Sequence, residues 1–156
     1  MKSATVRELK MELLDRSPKE VMDLCLRLSR FKKENKELLT YLLYEADDEK
    51  AYIEGVKEDI TIQFDEILNP SLYYITKGVR KILRNTKKYI RYSKKKETEV
   101  ELLIHFCSEL KTNTPFQKST VLQNIYQRQI DSIRKTILKL HEDLQFDYNV
   151  LLEEIE

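Results

Sequence analysis

Two histidines and two cysteines are the residues of this 156-residue chain that most directly suggest metal or nucleophilic chemistry, and their neighbours limit what they can do. His105 follows Glu101 by four residues, a spacing that places both on one helical surface as half of a metal site. No second pair of that kind accompanies it, and a di-iron bundle needs two Glu-x-x-His elements facing two further Glu. A helical wheel turns His105 away from the stripe of Val100, Leu103 and Cys107, so it reads as a solvated surface residue. His141-Glu142-Asp143, the other candidate, flanks the Leu140 and Leu144 seam of a long helix and reads as lying where that helix packs on a neighbour. Cys25 and Cys107 both fall at apolar positions of helical patterns, with no charged or imidazole neighbour in the stripe to lower a thiol pKa. They are expected to be inert core residues in a reducing compartment.

Other constellations fail on composition. Gly55 and Gly78 are the only glycines, so neither a phosphate-cradling loop nor a dinucleotide fingerprint can be written. No catalytic residues, metal, cofactor or small-molecule ligand are predicted, and the chain reads as a non-catalytic protein, with an unrecognised enzyme as the third alternative.

Charge carries more information. The formal net charge is +1, yet the signs are segregated along the chain. From Lys77 to Lys96 there are ten basic residues and no acidic one. At about 100° per residue, Lys77, Arg80, Lys81, Arg84, Lys87, Lys88, Arg91, Lys94 and Lys95 share one arc of roughly 140°, opposite Ile75, Val79, Ile82, Leu83 and Ile90. Tyr73 and Tyr92 fall towards the basic side, placing aromatic rings among the cations as nucleic-acid surfaces do. Glu45 to Glu66 holds nine acids against Lys50 and Lys57, and Glu142 to Glu156 holds six with no Lys or Arg. Two readings follow: the acidic segments neutralise the basic helix inside the fold, or the basic face stays open for an anionic partner. That partner is expected to be a protein, with sequence-nonspecific nucleic-acid binding through the same residues as the alternative and a membrane surface as the weakest option.

The elements that must carry this face are helical. Two Gly and three Pro occur where ordinary usage of about 12% would give roughly nineteen, so material for sheet turns is scarce. Thr5-Val6-Arg7-Glu8 and Ser17-Pro18-Lys19-Glu20 read as capping boxes, the second with Pro at the first helical position. Val21, Leu24, Cys25 and Leu28 then follow at helical spacing. A break near Phe31 to Asn35 precedes a stripe from Leu38 to Ala46, and another carries Ile53, Val56, Ile60, Phe64 and Ile67, either capped by Asp47 or Asp48 or continuous with the first. Asn69-Pro70-Ser71 ends one helix and starts the next, which runs to about Ser93. Val100, Leu103, Ile104, Cys107 and Leu110 mark a sixth helix, stopped by Thr112-Asn113-Thr114-Pro115. From Ser119 the spacing of Tyr126, Ile130, Ile133, Ile137, Leu140, Leu144, Tyr148, Leu151 and Ile155 predicts one long helix with a kink near Asp147, its seam free to pair along a neighbour or a second copy.

The first forty-odd residues resemble the opening of a bacterial all-helical family of the domain-of-unknown-function type. Leu9, Leu13, Leu14, the Ser17-Pro18-Lys19-Glu20 cap and the Lys33-Glu34-Asn35-Lys36-Glu37 segment carry the likeness. The resemblance implies a bacterial, cytoplasmic, all-helical protein and supplies no catalytic residues.

The expectation is therefore an all-α single domain over residues 1–156, a compact bundle of six or seven helices in antiparallel hairpins, or else a short α-solenoid. It is expected to act in the cytoplasm as a protein-interaction or self-associating module. The longest near-apolar stretch, Leu38 to Tyr44, is too short to span a bilayer.

Overall fold

Both capping boxes close as the sequence predicts. In a computed structural model describing residues 1–156, the Glu8 carboxylate accepts from the Thr5 backbone N–H at 2.7 Å and that of Glu20 from the Ser17 N–H at 2.9 Å. These bonds from the backbone hold both carboxyls below the usual carboxylate range. They open α1 (Val6–Leu14) and α2 (Pro18–Phe31). Lys32 is extended, with φ −141° and ψ 148°, which separates α2 from α3 (Lys33–Thr40). A π-helical turn, Tyr41–Glu45, leads towards α4 (Glu49–Asp65), where the Asp48 side chain caps Ala51 N–H at 3.1 Å. The remaining helices are α5 (Leu72–Ser93), α6 (Lys96–Thr112), α7 (Thr120–Ile137) and α8 (Glu142–Glu153), with a single 3-10 turn at Phe116–Lys118. The protein is all-α, without a strand.

Eight helices rather than six or seven arise because the long C-terminal helix is two. The chain leaves α7 at Ile137 and re-enters helix at Glu142, with no kink near Asp147. Charge suits both ends of the break. Arg134 and Lys135 complement the carbonyl end of α7, while Glu142 and Asp143 complement the amide end of α8, whose His141 imidazole faces Asp143 N–H at 3.5 Å.

Residues 1–156 were expected to share one core on grounds of length. The structure groups them into two compact units, Met1–Tyr44 and Glu45–Glu156. In the first, α2 packs on α3, and the Asn35 amide donates to the Leu28 carbonyl at 2.9 Å. No residue of α1, α2 or α3 is buried.

The second unit holds the core. Its helix directions follow from long-range bonds: Lys57–Glu101 and Thr61–His105 are both 44 residues apart, so α4 and α6 run parallel. Tyr52 OH donates to the Tyr89 carbonyl while Gln63 meets Asn85, so α4 and α5 run antiparallel. Helix α6 packs on each of α4, α5, α7 and α8. It is covered on several sides, so Leu102 and Phe106 are as inaccessible as Val100 and Leu103. Phe106 meets Phe64 with ring centroids 5.6 Å apart. Most of the predicted C-terminal seam is internal: Tyr126, Ile130, Ile133, Ile137, Leu140 and Tyr148 are buried within this unit, Leu144 and Ile155 are half-buried, and Leu151 is exposed while its neighbour Leu152 is buried instead.

Candidate functional site

Helix α5 presents the cations as its periodicity dictates. Ile75, Val79, Ile82 and Thr86 are buried, Leu83 and Ile90 half-buried, and this flank fixes the helix against α4 and α6. Lys77, Arg80, Lys81, Arg84, Lys87, Arg91 and Lys94 on the other flank are all exposed. None of the seven side chains forms an ion pair or hydrogen bond with a neighbour. Lys94 closes the helix in the left-handed conformation, φ 60°.

Three residues placed on that face by the wheel are not free parts of it. Lys95 pairs with Glu49 at 3.0 Å. Glu49 also accepts the hydroxyls of Ser93 and Thr98, so one α4 carboxylate is spent gathering the α5–α6 connection. Tyr92 is buried, its ring set edge-on to Tyr89 at 6.1 Å, because the N-terminal end of α4 reaches this end of α5. Lys88 is half-buried and lies 4.8 Å from the centroid of Tyr89. Tyr73 does stand exposed, edge-on to Tyr74 at 5.2 Å. Beside it, Lys81 borders a cleft of about 330 Å³ between the end of α4 and the start of α5, lined also by Ile67, Leu68, Tyr74 and Gly78. A side chain at Gly78 would meet Ile67 Cδ1 at 3.0 Å, so the small residue lets these segments close.

Of the nine acids of residues 45–66, Glu49 takes Lys95 and Glu66 lines the cleft that Lys81 borders, but none pairs with the seven exposed cations. Glu58, Asp59, Asp65 and Glu66 are exposed in their own right, and Glu54 turns to Lys57 at 2.8 Å.

The histidine and cysteine readings change. His105 is not a solvated surface residue: its side chain is 25% exposed and its Nε2 bonds the Thr61 hydroxyl at 2.9 Å, because α4 covers the face the wheel assigned to water. Burial holds its pKa below the usual value. The unfolded chain therefore takes up the proton first. Stability linked to His105 is present above pH of about 6.5 and lost as pH falls below it. Urea unfolding at about pH 7 and pH 5 is expected to show this loss, reduced in His105→Asn; an undiminished loss would assign it to other groups.

Cys25 is exposed, because no helix covers its stripe, whereas Cys107 is fully buried and burial pushes its thiol to about 12. His141 is an exposed cap. No three His, Cys, Asp or Glu side chains gather in the manner of a metal site.

Sequence reasoning missed one polar cluster. Lys57 Nζ donates to Glu54 at 2.8 Å and Glu101 at 2.9 Å, and Tyr148 OH donates to the other Glu101 oxygen at 3.0 Å. Burial would push the Lys57 ammonium down, but the bonds to Glu54 and Glu101 outweigh it and hold it above its ordinary value. Burial and the Glu101 charge push the Tyr148 phenol up. All four side chains are satisfied by one another, so the cluster ties α4, α6 and α8 together and leaves no unpaired group for a substrate. Only the i, i+3 spacing of Glu54 and Lys57 was legible in the sequence.

Fold and surface define the class: an all-α helix bundle in which one helix, α5, carries exposed cations without ion-pair partners. No family model, curated protein or solved structure matches the chain. No helix is long and apolar enough to cross a membrane.

Proposed function

We propose that the chain is a non-catalytic interaction module that binds an acidic protein surface through the exposed face of α5. The observation behind this reading is that Lys77, Arg80, Lys81, Arg84, Lys87, Arg91 and Lys94 stand in water without a carboxylate partner. Concentrated like charge destabilises a fold through self-repulsion, and a partner of opposite sign relieves it. A protein partner is favoured over nucleic acid because Tyr92, one of the two rings that would stack on bases, is buried. The cytoplasm and a bacterial source, implied by the N-terminal resemblance, belong to the same reading.

A fluorescent glutamate-rich peptide and a 20-nucleotide single strand, titrated at two salt concentrations, test it. The peptide is expected to bind, and Arg80→Glu with Arg84→Glu to weaken it roughly tenfold to hundredfold, with the helical signal unchanged because both side chains are exposed. Binding that survives the double reversal removes α5 from the function. A single strand that outcompetes the peptide and weakens steeply with salt transfers the face to nucleic acid.

A further inference from the structure

A second helix of the 45–156 unit carries the opposite charge on an equally open face. Glu142, Asp143, Asp147, Glu153 and Glu154 of α8 are exposed, and at about 100° per residue they share one arc of roughly 140°. Tyr148 and Leu152 lie on the opposite flank and are buried. Within the acidic arc stand Phe146, 71% exposed, and Val150, 44% exposed, so the carboxylates border an uncovered apolar strip. The side chains of Glu142, Asp147, Glu153 and Glu154 have no ion-pair or hydrogen-bond partner. On α5, Tyr73, Lys77, Arg80, Arg84, Lys87 and Arg91 follow one another at spacings of four and three within an arc of about 80°. Tyr73 is 69% exposed, so that stripe too combines charge with an open ring.

Resting on the reading of α5 above, we propose that its acidic partner is α8 of a second copy of this chain. The lengths match: Lys77 to Arg91 spans about 21 Å and Glu142 to Glu154 about 18 Å at 1.5 Å rise per residue. Cations repeating every three or four residues track a helix lying alongside at a shallow angle. The two stripes cannot meet within one copy. Helices α5 and α8 both pack on α6, and each stripe lies on the flank turned away from its own buried one. One contact between copies offsets the like-charge repulsion within both stripes. A formal net charge of +1 leaves little long-range repulsion between copies to oppose it. Exposed ion pairs alone contribute little, and Phe146 supplies an apolar anchor on whose ring arginine stacks. The contact joins unlike surfaces, so it closes either as a reciprocal pair or as a head-to-tail series.

Sedimentation equilibrium of the full chain at about 100 µM in low salt is expected to give a mass above the 18.7 kDa of one chain. The mass is expected to return to that of one chain at about 0.5 M salt, where surface charges are screened. Arg80→Gln with Arg84→Gln, and separately Asp147→Asn with Glu154→Gln, are each expected to weaken association about tenfold or more. Mixed in equal amounts, the two variants are expected to form a two-chain species, because each retains the stripe that the other lacks. Phe146→Ala is expected to weaken association about tenfold with no change of charge. Glu58→Gln with Asp59→Asn removes two carboxylates from exposed positions on α4 and is expected to leave association unchanged. A chain that stays at 18.7 kDa, a mixture that does not pair, or equal weakening by the α4 changes overturns the proposal. A monomeric chain that still binds the glutamate-rich peptide keeps the α5 reading and assigns its partner to another protein, whereas loss of peptide binding as well removes both.

Discussion

Phe106→Ala is expected to cost the 45–156 unit about 3–5 kcal/mol of unfolding free energy, the largest loss from any single truncation in this chain. Phe106 is fully buried in α6, the helix that α4, α5, α7 and α8 all pack against. Its ring also meets Phe64 of α4, so truncation opens a cavity that rigid neighbours on several helices cannot close together. Ile104, two residues earlier on the same helix, is only half-buried, and Ile104→Ala should cost about 1 kcal/mol. Urea unfolding followed by far-ultraviolet circular dichroism separates the two. Equal costs, or a Phe106→Ala loss below about 1 kcal/mol, would contradict the central position of α6.

Glu101→Leu comes second, at about 2 kcal/mol. Removing the carboxylate deprives Tyr148 OH of its acceptor and leaves Lys57, whose side chain is 24% exposed, with Glu54 alone. Partial solvation of the pair keeps the cost below that of a fully buried ion pair. The informative measurement is the double variant. Lys57→Met with Glu101→Leu removes both charges together and should be less destabilising than Glu101→Leu alone, because the main penalty lies in stranding a partner. Strictly additive losses would mean that the two side chains do not act as a unit and that the cluster does not tie α4 to α6.

These two residues mark where sequence reading ends. The apolar stripe of Val100, Leu103, Ile104, Cys107 and Leu110 correctly located a helix, but it assumed a single buried flank. Phe106 and Leu102 lie off that stripe and are buried because α6 is enclosed by several neighbours, a fact of helix pairing that no local period encodes. His105 was assigned to solvent by the same wheel and sits under α4 for the same reason. Tyr92 was placed with the cations and is covered by α4, while Cys25 was placed in a core and is bare. Each misplacement comes from a residue whose environment is set by a segment distant in sequence.

Local chemistry is legible at most helix ends, although Ser71, read as the cap of α5, makes no side-chain capping bond. Side-chain oxygens at Thr5, Ser17 and Asp48 cap the helices they were read to cap, and Asn69-Pro70-Ser71 separates α4 from α5. The cation arc of α5 depends only on 3.6-residue periodicity, so Lys77, Arg80, Lys81, Arg84, Lys87, Arg91 and Lys94 fall outward once the opposite flank is buried.

The sequence by itself therefore determined the helices, most of their ends and the sidedness of α5, because capping, proline geometry and helical period act over a few residues. Tertiary structure alone decided that α6 is central, that most of the C-terminal seam closes on its own unit and that Glu49 takes Lys95 from the basic face. Those outcomes rest on contacts between residues some forty positions apart, and such contacts are fixed by which surfaces can be buried together.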